Sequence, residues 1–411
     1  MTEALRQFMR DHAEDDLHDL LLKASRFKDV DVKEAVEQIT ARKKAKDKIP
    51  QWYENDRLTF PSPLAVEQCS SEIAALYKQR FVQNDDRICD LTGGLGVDTW
   101  YFSQKVSKVT FVDKNKACCD AARDNFQALG VSNVQIINID AFDYLKNSLD
   151  SVDVFYIDPS RRGSGNKRLF TISDCEPDLL QLLALLRDKT NKRNIPLPPS
   201  KGELKKLIIK LSPMLDITQA LEQIPGVQEV HVVSIKNECK ELLLLVQRGS
   251  TDDTPNPQIV CVNFLADGTE QKFQYRLSDE TAAVVQFAKT LGGFLYEPNA
   301  SILKAGAYKT VACRFGVEKL HTSSHLYTST HPITSFPGRR FRITDVLPFN
   351  NRLCKTIAMT IPQANISVRN FPLSVDELRK RTRIVEGGDV YIFATTLSDN
   401  QKTLIICQKE Y

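Results

Sequence analysis

An alternation of short apolar segments with helical segments, between residues 87 and 212, constrains the fold most strongly. The apolar segments are rich in β-branched and aromatic residues, and turn residues bound each of them. They are RICDL (87–91), KVTFVD (108–113), VQIINID (134–140), VDVFYID (152–158) and KKLIIKLS (205–212). Strands this uniformly apolar suit a parallel sheet that helices cover on both faces. The pattern therefore predicts an α/β domain with a Rossmann-like sheet.

Two further apolar segments indicate how this sheet ends. EVHVVSIKN (229–237) and KELLLLVQR (240–248) are separated only by Glu238 and Cys239. So short a connection permits a hairpin, whereas a parallel crossover needs about a dozen residues or more. We therefore expect the sheet to close with an antiparallel strand.

The amino-terminal segment has the pattern of acidic amphipathic helices over residues 1–40. A basic run, ARKKAKDK (41–48), and an extended stretch (49–63) follow it. We interpret this region as a helical module with a linker. The segment 64–82 has apolar residues at three-to-four spacing, which predicts one helix leading into the sheet.

Beyond residue 250 the pattern changes to short strands with turn signals. A helix is expected near 299–315, with Asn299 as its N-cap, because Asn299 follows a proline and precedes a helical segment. From about Phe336, strand-like pieces alternate with the helix SVDELRKRT, which is typical of a small α+β module. The predicted domains are a helical module with linker (1–60), the sheet domain (61–250), a small ferredoxin-like α+β module (251–335) and a second α+β module (336–411).

Composition excludes several classes of protein. A chain of 411 residues is too long for one ordinary core, and 42% hydrophobic with 26% charged residues is typical of soluble proteins. No apolar run approaches the roughly 18 residues of a membrane helix, and residues 1–10 lack a signal-peptide pattern, so we expect a cytoplasmic protein. The ten cysteines include no C-x-x-C pair, which favours reduced thiols. A net charge of +3 does not by itself indicate a nucleic-acid partner.

The histidines give little evidence for a metal. His321 and His325, in HTSSH, have the i, i+4 spacing of a metal-binding helix face. Their Thr and Ser neighbours argue against a helix, and no acidic third ligand lies close in sequence. We therefore expect no metal site.

The first predicted strand ends in ICDLTGGLGVDTW, where a carboxylate, glycines 93, 94 and 96 and a helix start follow one another. Glycines there would let backbone N–H groups approach a ligand at the helix N-terminus, which suits a nucleotide. By itself this signal is weak, since glycine turns join strands to helices in many α/β proteins that bind no ligand.

Acidic residues also end the next three strands: Asp113, Asp140 and Asp158. Asp113 lies 19 residues after Gly94, where a carboxylate can accept both hydrogens of a ribose diol. Ligands of open α/β sheets bind at the carboxyl edge, where these acids would gather. A row of carboxylates suits a cationic, adenosine-bearing ligand better than NAD. The third glycine of a dinucleotide fingerprint is also absent at Thr99, although an NAD(P)-dependent oxidoreductase stays as an alternative.

This combination resembles the class I S-adenosylmethionine-dependent methyltransferases. The likeness rests on D-x-x-x-G-x-G at 90–96 and on the acids that end the next three strands, and it covers roughly residues 85–250. It implies a seven-stranded methyltransferase sheet and S-adenosylmethionine as the cofactor. Thr92 departs from the pattern, because many members have another glycine there.

The resemblance also implies roles for individual residues. It places Gly94 and Gly96 beside the amino-acid part of the cofactor, Asp113 on the ribose hydroxyls and Asp140 on the adenine amine. It places Asp158-Pro159 near the transferring methyl group. The predicted cofactor-binding residues are Asp90, Thr92, Gly93, Gly94, Gly96, Asp113, Asp140, Ala141 and Asp158.

The segment after the fourth strand, IDPSRRG, borders both cofactor and substrate in this family. Asp158 is the candidate for orienting the acceptor or acting as a general base, and Pro159 stiffens the turn. Enzymes that methylate exocyclic base amines often carry D/N-P-P-aromatic here, with the ring stacking on the base. The predicted catalytic residues are Asp158, Pro159 and Arg161.

Ser160 and Arg161 stand in this chain where such enzymes have a proline and an aromatic residue. The guanidinium groups of Arg161 and Arg162 could hold a phosphate or stack on a base. The alternative is that they form local ion pairs with Asp174 or Glu176.

The carboxyl-terminal segment is strongly basic. From Gly338 to Arg383 there are ten Lys and Arg against three Asp and Glu, a local charge of +7, and Phe336, Phe341, Phe349 and Phe371 interleave with them. Such a module suits a phosphate backbone and unstacked bases, although each single phenylalanine is more typical of a core residue. The predicted RNA-binding residues are Arg162, Arg339, Arg340, Arg342, Arg379, Lys380, Arg381 and Arg383.

The arrangement as a whole resembles bacterial methyltransferases with a carboxyl-terminal THUMP-like domain. FPGRRFRI and VRNFPLSVDELRKRTRIVEGGDVYIFATTL carry the likeness in the tail, and it covers nearly the full chain. THUMP domains bind RNA on tRNA-modifying enzymes, so the resemblance implies a structured RNA substrate, tRNA or rRNA. We infer no membrane association and no obligate protein partner. The alternative is a non-catalytic RNA-binding protein on the same fold.

Overall fold

The structure, a computed structural model, describes residues 1–147, 152–161, 172, 175–191, 204–247 and 256–410. The chain divides into two compact units, Met1–Gln228 with Leu243–Pro255 and Glu229–Leu242 with Asn256–Tyr411. Within the described ranges, no helix has both the length and the apolar character needed to cross a membrane.

Helices fill the chain before the first strand. They are α1 (Glu3–Asp11), α2 (Leu17–Leu22), α3 (Val32–Ala45), α4 (Pro50–Glu54), α5 (Pro63–Gln68) and α6 (Glu72–Lys78), with 3₁₀ turns at Ala24–Arg26 and Gln79–Phe81. Asp31 caps α3 by accepting a hydrogen bond from the N–H of Glu34 at 3.0 Å. Helical structure continues into the predicted linker, because α3 runs through Ala45 and a proline at the first position starts α4.

The prediction of one helix over 64–82 is wrong. Helix α5 ends at Gln68 and α6 begins at Glu72, and Ser71 caps α6 by accepting a hydrogen bond from the N–H of Ala74 at 3.4 Å. In the break, the buried Ser70 donates its hydroxyl to Asp98 Oδ2 at 2.7 Å. Two serines therefore interrupt a periodic apolar pattern, and one of them makes a contact that a continuous helix would not present.

The central strands of the first unit are parallel, as predicted. The strands here are β1 (Arg87–Asp90), β2 (Lys108–Asp113), β3 (Val134–Asn138), β4 (Val154–Ile157), the short β5 (Ser160–Arg161) and β6 (Cys175–Glu176), and β7 (Lys206–Leu211). The helices that alternate with them are α7 (Val97–Ser103), α8 (Lys116–Ala128), α9 (Ala141–Asn147), α10 (Leu179–Asn191) and α11 (Ile217–Gln223). Strand β1 lies between β2 and β4; β3 pairs with β2, and β7 pairs with β4, all in parallel.

The larger sheet has the order β11-β10-β8-β9-β7-β4-β1-β2-β3 in the described chain. Strands β8 (Val227–Ile235) and β9 (Glu238–Gln247) form the predicted closing hairpin. Its turn is Lys236-Asn237, both with positive φ, so the turn predicted at Glu238-Cys239 is two residues late. Strands β10 (Gln258–Phe264) and β11 (Glu270–Arg276) extend the expected seven strands to nine.

Two apolar clusters position the loops of the first unit. One joins the central strands through residues such as Ile88, Val154 and Ile208. The other joins helices α3 to α6 and the chain between them to the segment after β1, and its aromatic members are Trp52, Phe60, Trp100, Tyr101, Phe111 and Phe126. The helices before the sheet therefore share a core with the first glycine-containing turn.

The second unit contains a sheet with the order β13-β14-β12-β15-β18-β17-β16. Helix α12 (Leu277–Ala282) precedes this sheet in the chain. The strands of the sheet and the helices between them are β12 (Phe294–Pro298), α13 (Ala300–Ala305), α14 (Tyr308–Phe315), β13 (Glu318–Lys319), β14 (Tyr327–Ser329), β15 (Gly338–Pro348), α15 (Asn351–Thr360), β16 (Asn365–Arg369), α16 (Val375–Thr382), β17 (Val390–Thr396) and β18 (Lys402–Glu410).

The single helix predicted near 299–315 is instead a pair, α13 and α14. Gly306, with φ at +78°, ends α13 in the left-handed conformation. Asn299 caps α13 as predicted, accepting a hydrogen bond from the N–H of Ile302 at 3.2 Å. Helix α16 forms where SVDELRKRT predicts it, and Ser374 and Glu377 make a capping box at its start.

Candidate active site

The carboxyl ends of the parallel strands bring the predicted acids to one edge of the sheet. Asp90 ends β1, Asp113 ends β2 and Asp158 directly follows β4. Asp140 does not end β3, because that strand stops at Asn138. It lies at the start of α9 instead, where Oδ1 accepts a hydrogen bond from the N–H of Phe142 at 2.8 Å.

The glycine turn after β1 is tied to the end of β2. The N–H of Gly93 donates to the carbonyl of Val112 at 3.0 Å, and that of Gly94 donates to Asp113 Oδ2 at 2.7 Å. A Cβ on Gly93 would lie 2.2 Å from the Phe111 ring. Gly96 caps α7 at φ +90°, a conformation that favours glycine. The structure thus brings Gly94 and Asp113 together, as the sequence predicts.

Asp90 is buried below this turn rather than open at the rim. Its Oδ1 accepts the N–H of Thr92 at 3.0 Å, and its Oδ2 accepts the hydroxyl of Thr99 at 2.7 Å. Burial raises the pKa of Asp90 to about 7, against the opposing effect of the two threonine hydrogen bonds. A large fraction of Asp90 is therefore protonated near neutral pH, so this residue adds less negative charge than the sequence implies.

Thr92 joins the ends of β1 and β4. Its hydroxyl oxygen accepts a hydrogen bond from the N–H of Asp158 at 2.7 Å. The threonine that departs from the family pattern thus fixes the backbone of the Asp158-Pro159 turn. Pro159 is buried, and Ser160–Arg161 pairs with Cys175–Glu176. The Arg161 side chain, Arg162 and Asp174 lie outside the described part of the chain, so the interpretation of these arginines stays a prediction.

Lys210 is a site residue that the sequence interpretation missed. Its Nζ lies 2.6 Å from Asp158 Oδ2, and the two side chains are 12% and 28% exposed. Lys210 is the fifth residue of β7, which pairs with β4 in parallel, so both groups come to the same edge of the sheet. A lysine inside the otherwise apolar run KLIIKL was the available signal.

A second pair that the sequence interpretation missed lies behind the turn. The ammonium of Lys78, fully buried, is 3.1 Å from Asp98 Oδ1, while Ser70 and Tyr156 donate hydroxyls to Asp98 Oδ2 at 2.7 and 2.8 Å. Burial alone would raise the pKa of Asp98, but Lys78, Lys210 and these hydroxyls lower it below its usual range. Asp98 is thus held ionised inside the protein.

The basic residues predicted to bind RNA divide into two groups. Arg339 donates Nε to Glu297 Oε2 at 2.6 Å, and Arg369 lies 2.7 Å from Glu297 Oε1. Glu297 is 2% exposed, so the geometry favours a structural role for Arg339. Arg342 donates to Glu410 at 2.8 Å, and Arg340 donates to the carbonyl of Thr334.

The other group lies at the end of α16. Arg379 donates to the carbonyls of Ile384 and Ala364 at 3.2 and 3.3 Å, which holds the chain after the helix. The side chains of Lys380, Arg381 and Arg383 are exposed. At the end of α16, these three are therefore the predicted RNA-binding residues whose side chains are open to a partner.

The four phenylalanines of this region belong to its apolar interior. Phe336 and Phe341 are buried, and Phe349 packs edge-on against Phe371 at 4.9 Å between ring centroids. The last two pack against the apolar cluster of α15, α16 and their neighbouring strands. The core interpretation, rather than stacking on bases, is confirmed for Phe336 and Phe341.

The described residues contain no group of His, Cys, Asp and Glu that could hold a metal ion. His321 and His325 lie in a turn, not a helix. The ring of His325 stacks on Tyr308 at 3.6 Å, and burial lowers the pKa of His325 to about 4.

The strand order, with its closing hairpin, and the glycine turn bound to the acid of β2 define a class I methyltransferase fold. Over 99% of this chain and 98% of the other, the protein superimposes on the crystal structure of a "putative methyltransferase" from Porphyromonas gingivalis W83, with a TM-score of 0.86 and 33% sequence identity. The chain belongs to the same methyltransferase family as that protein.

Other comparisons cover parts of the chain. Residues 294–337 match a ferredoxin-like domain family, and residues 338–409 match the THUMP domain-like family. An uncharacterised RNA methyltransferase of Mycoplasma mobile is 28% identical over 29% of this chain and 31% of its own length. One of Thermotoga maritima is 24% identical over 30% of this chain and 29% of its own length. The chain thus spans less than a third of these curated relatives.

Proposed function

We propose that the protein transfers a methyl group from S-adenosylmethionine to a structured RNA, tRNA or rRNA. The observation that carries the cofactor part is the hydrogen bond from the Gly94 N–H to Asp113 Oδ2 at 2.7 Å. It holds the glycine turn against the acid of β2, at the sheet edge where α/β folds bind nucleotides, and this supports an adenosine-bearing ligand. The RNA part rests on the THUMP-like match and on the relatives named as RNA methyltransferases.

The residues present fit the cofactor. Asp113 is partly exposed, and each carboxylate oxygen accepts one backbone N–H, from Gly94 and from Asn115 at 2.7 Å. Each oxygen keeps a further lone pair, so the two ribose hydroxyls can donate to them. The Phe111 ring leaves no room for a side chain at Gly93, so only glycine fits at this point of the turn.

Asp158 is the residue that would face the acceptor. S-adenosylmethionine supplies an activated methyl group on a sulfonium, so the protein has mainly to align the acceptor and exclude water. Lys210 holds Oδ2 of Asp158, and Thr92 holds its backbone N–H. Among the described residues none donates to Oδ1 of Asp158. We infer that this oxygen accepts a hydrogen bond from the acceptor amine or hydroxyl and orients its lone pair toward the methyl group.

Lys210 also bears on the choice between a positioning group and a general base. The ammonium of Lys210, 2.6 Å away, fixes one oxygen of Asp158 in place, which is the arrangement that a positioning group requires. We therefore assign Asp158 to orienting the acceptor.

The direct test has two parts. Isothermal titration of the full chain with S-adenosylhomocysteine, compared with NAD, tests the cofactor; binding of NAD alone would favour an oxidoreductase and contradict the proposal. Transfer of labelled methyl groups to a tRNA and rRNA pool tests the substrate. Mass spectrometry of RNA nucleosides from a strain without the protein then identifies the modified base as the one that disappears. Binding of S-adenosylhomocysteine without any transfer to RNA would refute the RNA assignment.

A further inference from the structure

A polar cleft of about 310 Å³ lies within the second unit, beside strand β11. Among the described strands, β11 is at the end of the strand order, where it pairs with β10. The cleft is lined by polar side chains of that strand and of the segment leading into β15: Glu270, Gln271, Lys272, Thr334, Ser335 and Arg340. The site described above uses none of these residues except Arg340, which the sequence predicted as an RNA contact.

Hydrogen bonds fix which way the Gln271 amide points. Its Oε1 accepts Nδ2 of Asn263 at 3.1 Å and Nδ2 of Asn299 at 3.2 Å. Both asparagines are 1% exposed, and their own oxygens accept the backbone N–H groups of Asn237 and Ile302. An N–H group donates to the oxygen of each of the three amides, so exchanging the oxygen and the nitrogen of any of them would break these hydrogen bonds. The NH₂ group of Gln271 is therefore a committed donor at the cleft.

The other lining groups are also mostly donors. Arg340 gives one N–H to the carbonyl of Thr334, and the rest of its guanidinium stays available. Among the described residues, none pairs with the ammonium of Lys272 or with the hydroxyls of Thr334 and Ser335. Glu270 supplies the acidic group of this lining. Two cations, an oriented amide and two hydroxyls around one small cleft suit an anion with several acceptor oxygens.

We propose that this cleft binds a backbone phosphate of the RNA substrate. The preference for an anion follows from the donors alone, whereas the choice of RNA rests on the proposed function. Position supports that choice, because the cleft includes both Pro337, where the ferredoxin-like match ends, and Gly338, where the THUMP-like match begins. Contacts of this kind position an RNA without reading its sequence.

The test uses four single variants of the full chain and a fluorescently labelled tRNA pool. Lys272→Gln and Arg340→Gln should each weaken RNA binding roughly five- to tenfold and reduce the slope of log affinity against log salt by about one. Gln271→Glu keeps both accepted hydrogen bonds and replaces the donor by a carboxylate, so it should weaken binding as well. Glu270→Gln removes the opposing charge and should strengthen it. Lys402→Gln, at an exposed lysine of β18, is the matched control and should change nothing.

Titration with S-adenosylhomocysteine and inorganic phosphate separates the possible failures. Unchanged RNA affinity in all four variants, with normal S-adenosylhomocysteine binding, overturns the cleft assignment and leaves the proposed function standing. Weaker RNA binding by Glu270→Gln with stronger RNA binding by Lys272→Gln is the opposite of what a phosphate site requires and also overturns the cleft assignment. If the wild-type chain neither retains RNA nor binds inorganic phosphate, both the proposed function and the cleft assignment fail.

Discussion

Lys210 Nζ and Asp158 Oδ2 are 2.6 Å apart at the carboxyl ends of two neighbouring strands. If this pair orients Asp158 toward the acceptor, Lys210→Met should lower kcat by roughly tenfold or more, because orientation contributes much of the rate in methyl transfer. S-adenosylhomocysteine affinity should change little, and Lys210→Arg should recover part of the rate. Steady-state kinetics over a range of RNA concentrations measures this.

Lys205 provides the control for that variant. It precedes the same strand at the other end, where it pairs with Asp86 and Asp153. Lys205→Met removes two ion pairs of the same strand without touching the site, although the Lys205 side chain is more exposed than that of Lys210, at 38% against 12%. Equal loss of kcat in both variants would show that Lys210 acts only through the stability of β7.

Asp113→Ala should weaken S-adenosylhomocysteine binding at least fivefold, since at least about 1 kcal/mol is lost with a charged hydrogen-bond acceptor. The same change frees the Gly94 N–H from its partner, so the turn is also less fixed. Calorimetric titration gives the affinity. Asp143→Ala, an exposed acid of α9 that pairs with Lys146 at 3.7 Å, should leave it unchanged. Wild-type affinity in Asp113→Ala would remove Asp113 from the site.

Asp90 should make the protein less stable as the pH rises from about 4 to about 7. Its pKa in the folded protein, about 7, is above the unfolded value of about 3.9, so the folded state holds the proton more tightly across this window. The contribution is complete below pH 4 and lost above pH 7, and it is of the order of a few kcal/mol. Asp90→Asn should remove this dependence. Urea unfolding of both proteins at pH 5 and pH 8 measures the difference, and parallel pH profiles would contradict the assignment.

The exposed cations at the end of α16 test whether the carboxyl-terminal segment binds RNA. Reversing Lys380, Arg381 and Arg383 to Glu should abolish RNA retention at moderate salt and flatten its salt dependence. Arg379 is left in place, because it holds the carbonyls of Ile384 and Ala364. A double reversal of Lys43 and Lys46, exposed near the end of α3, is the control. Filter binding across a salt series distinguishes the two, and wild-type retention by the triple variant would refute this surface.

Glu297→Gln should destabilise the second unit. The buried carboxylate pairs with Arg339 and Arg369, and its neutralisation leaves two guanidinium groups without their counter-charge. Because both arginines are partly exposed, the cost should be about 1–3 kcal/mol rather than more. Chemical unfolding measures it, with RNA affinity recorded at the same time. A loss of RNA affinity without a change in stability would mean that Arg339 contacts RNA after all.

The local sequence pattern predicted the glycine turn and Asp113, whereas Lys210 and the surroundings of Asp90 depend on contacts between residues that are far apart in the chain. The glycine turn and Asp113 follow adjacent strands, so strand prediction alone brought them to one edge. Lys210 lies 52 residues from Asp158 along the chain, and the apolar pattern by itself does not say which strand lies next to β4. The hydrogen bond that Asp90 accepts from Thr99 likewise forms only once α7 has placed Thr99 against the end of β1.

The predicted helix over 64–82 failed for a related reason. Apolar spacing is a local signal, whereas the break at Ser70 is stabilised by Asp98, 28 residues away. The basic tail was predicted as one surface because charge was counted along the chain. Pairing of β12 with β15 instead places Arg339 opposite Glu297.

The break between α5 and α6 has a consequence for truncation. Ser70 and Lys78 complete the polar shell of Asp98, and Trp52 packs on Trp100 at 5.9 Å between ring centroids. A chain shortened to begin at β1 would deprive the buried Asp98 of Ser70 and of the ammonium of Lys78, and would expose one side of the core next to the glycine turn. A stable fragment should therefore start before α4, because helices α4 to α6 complete the core beside the glycine turn.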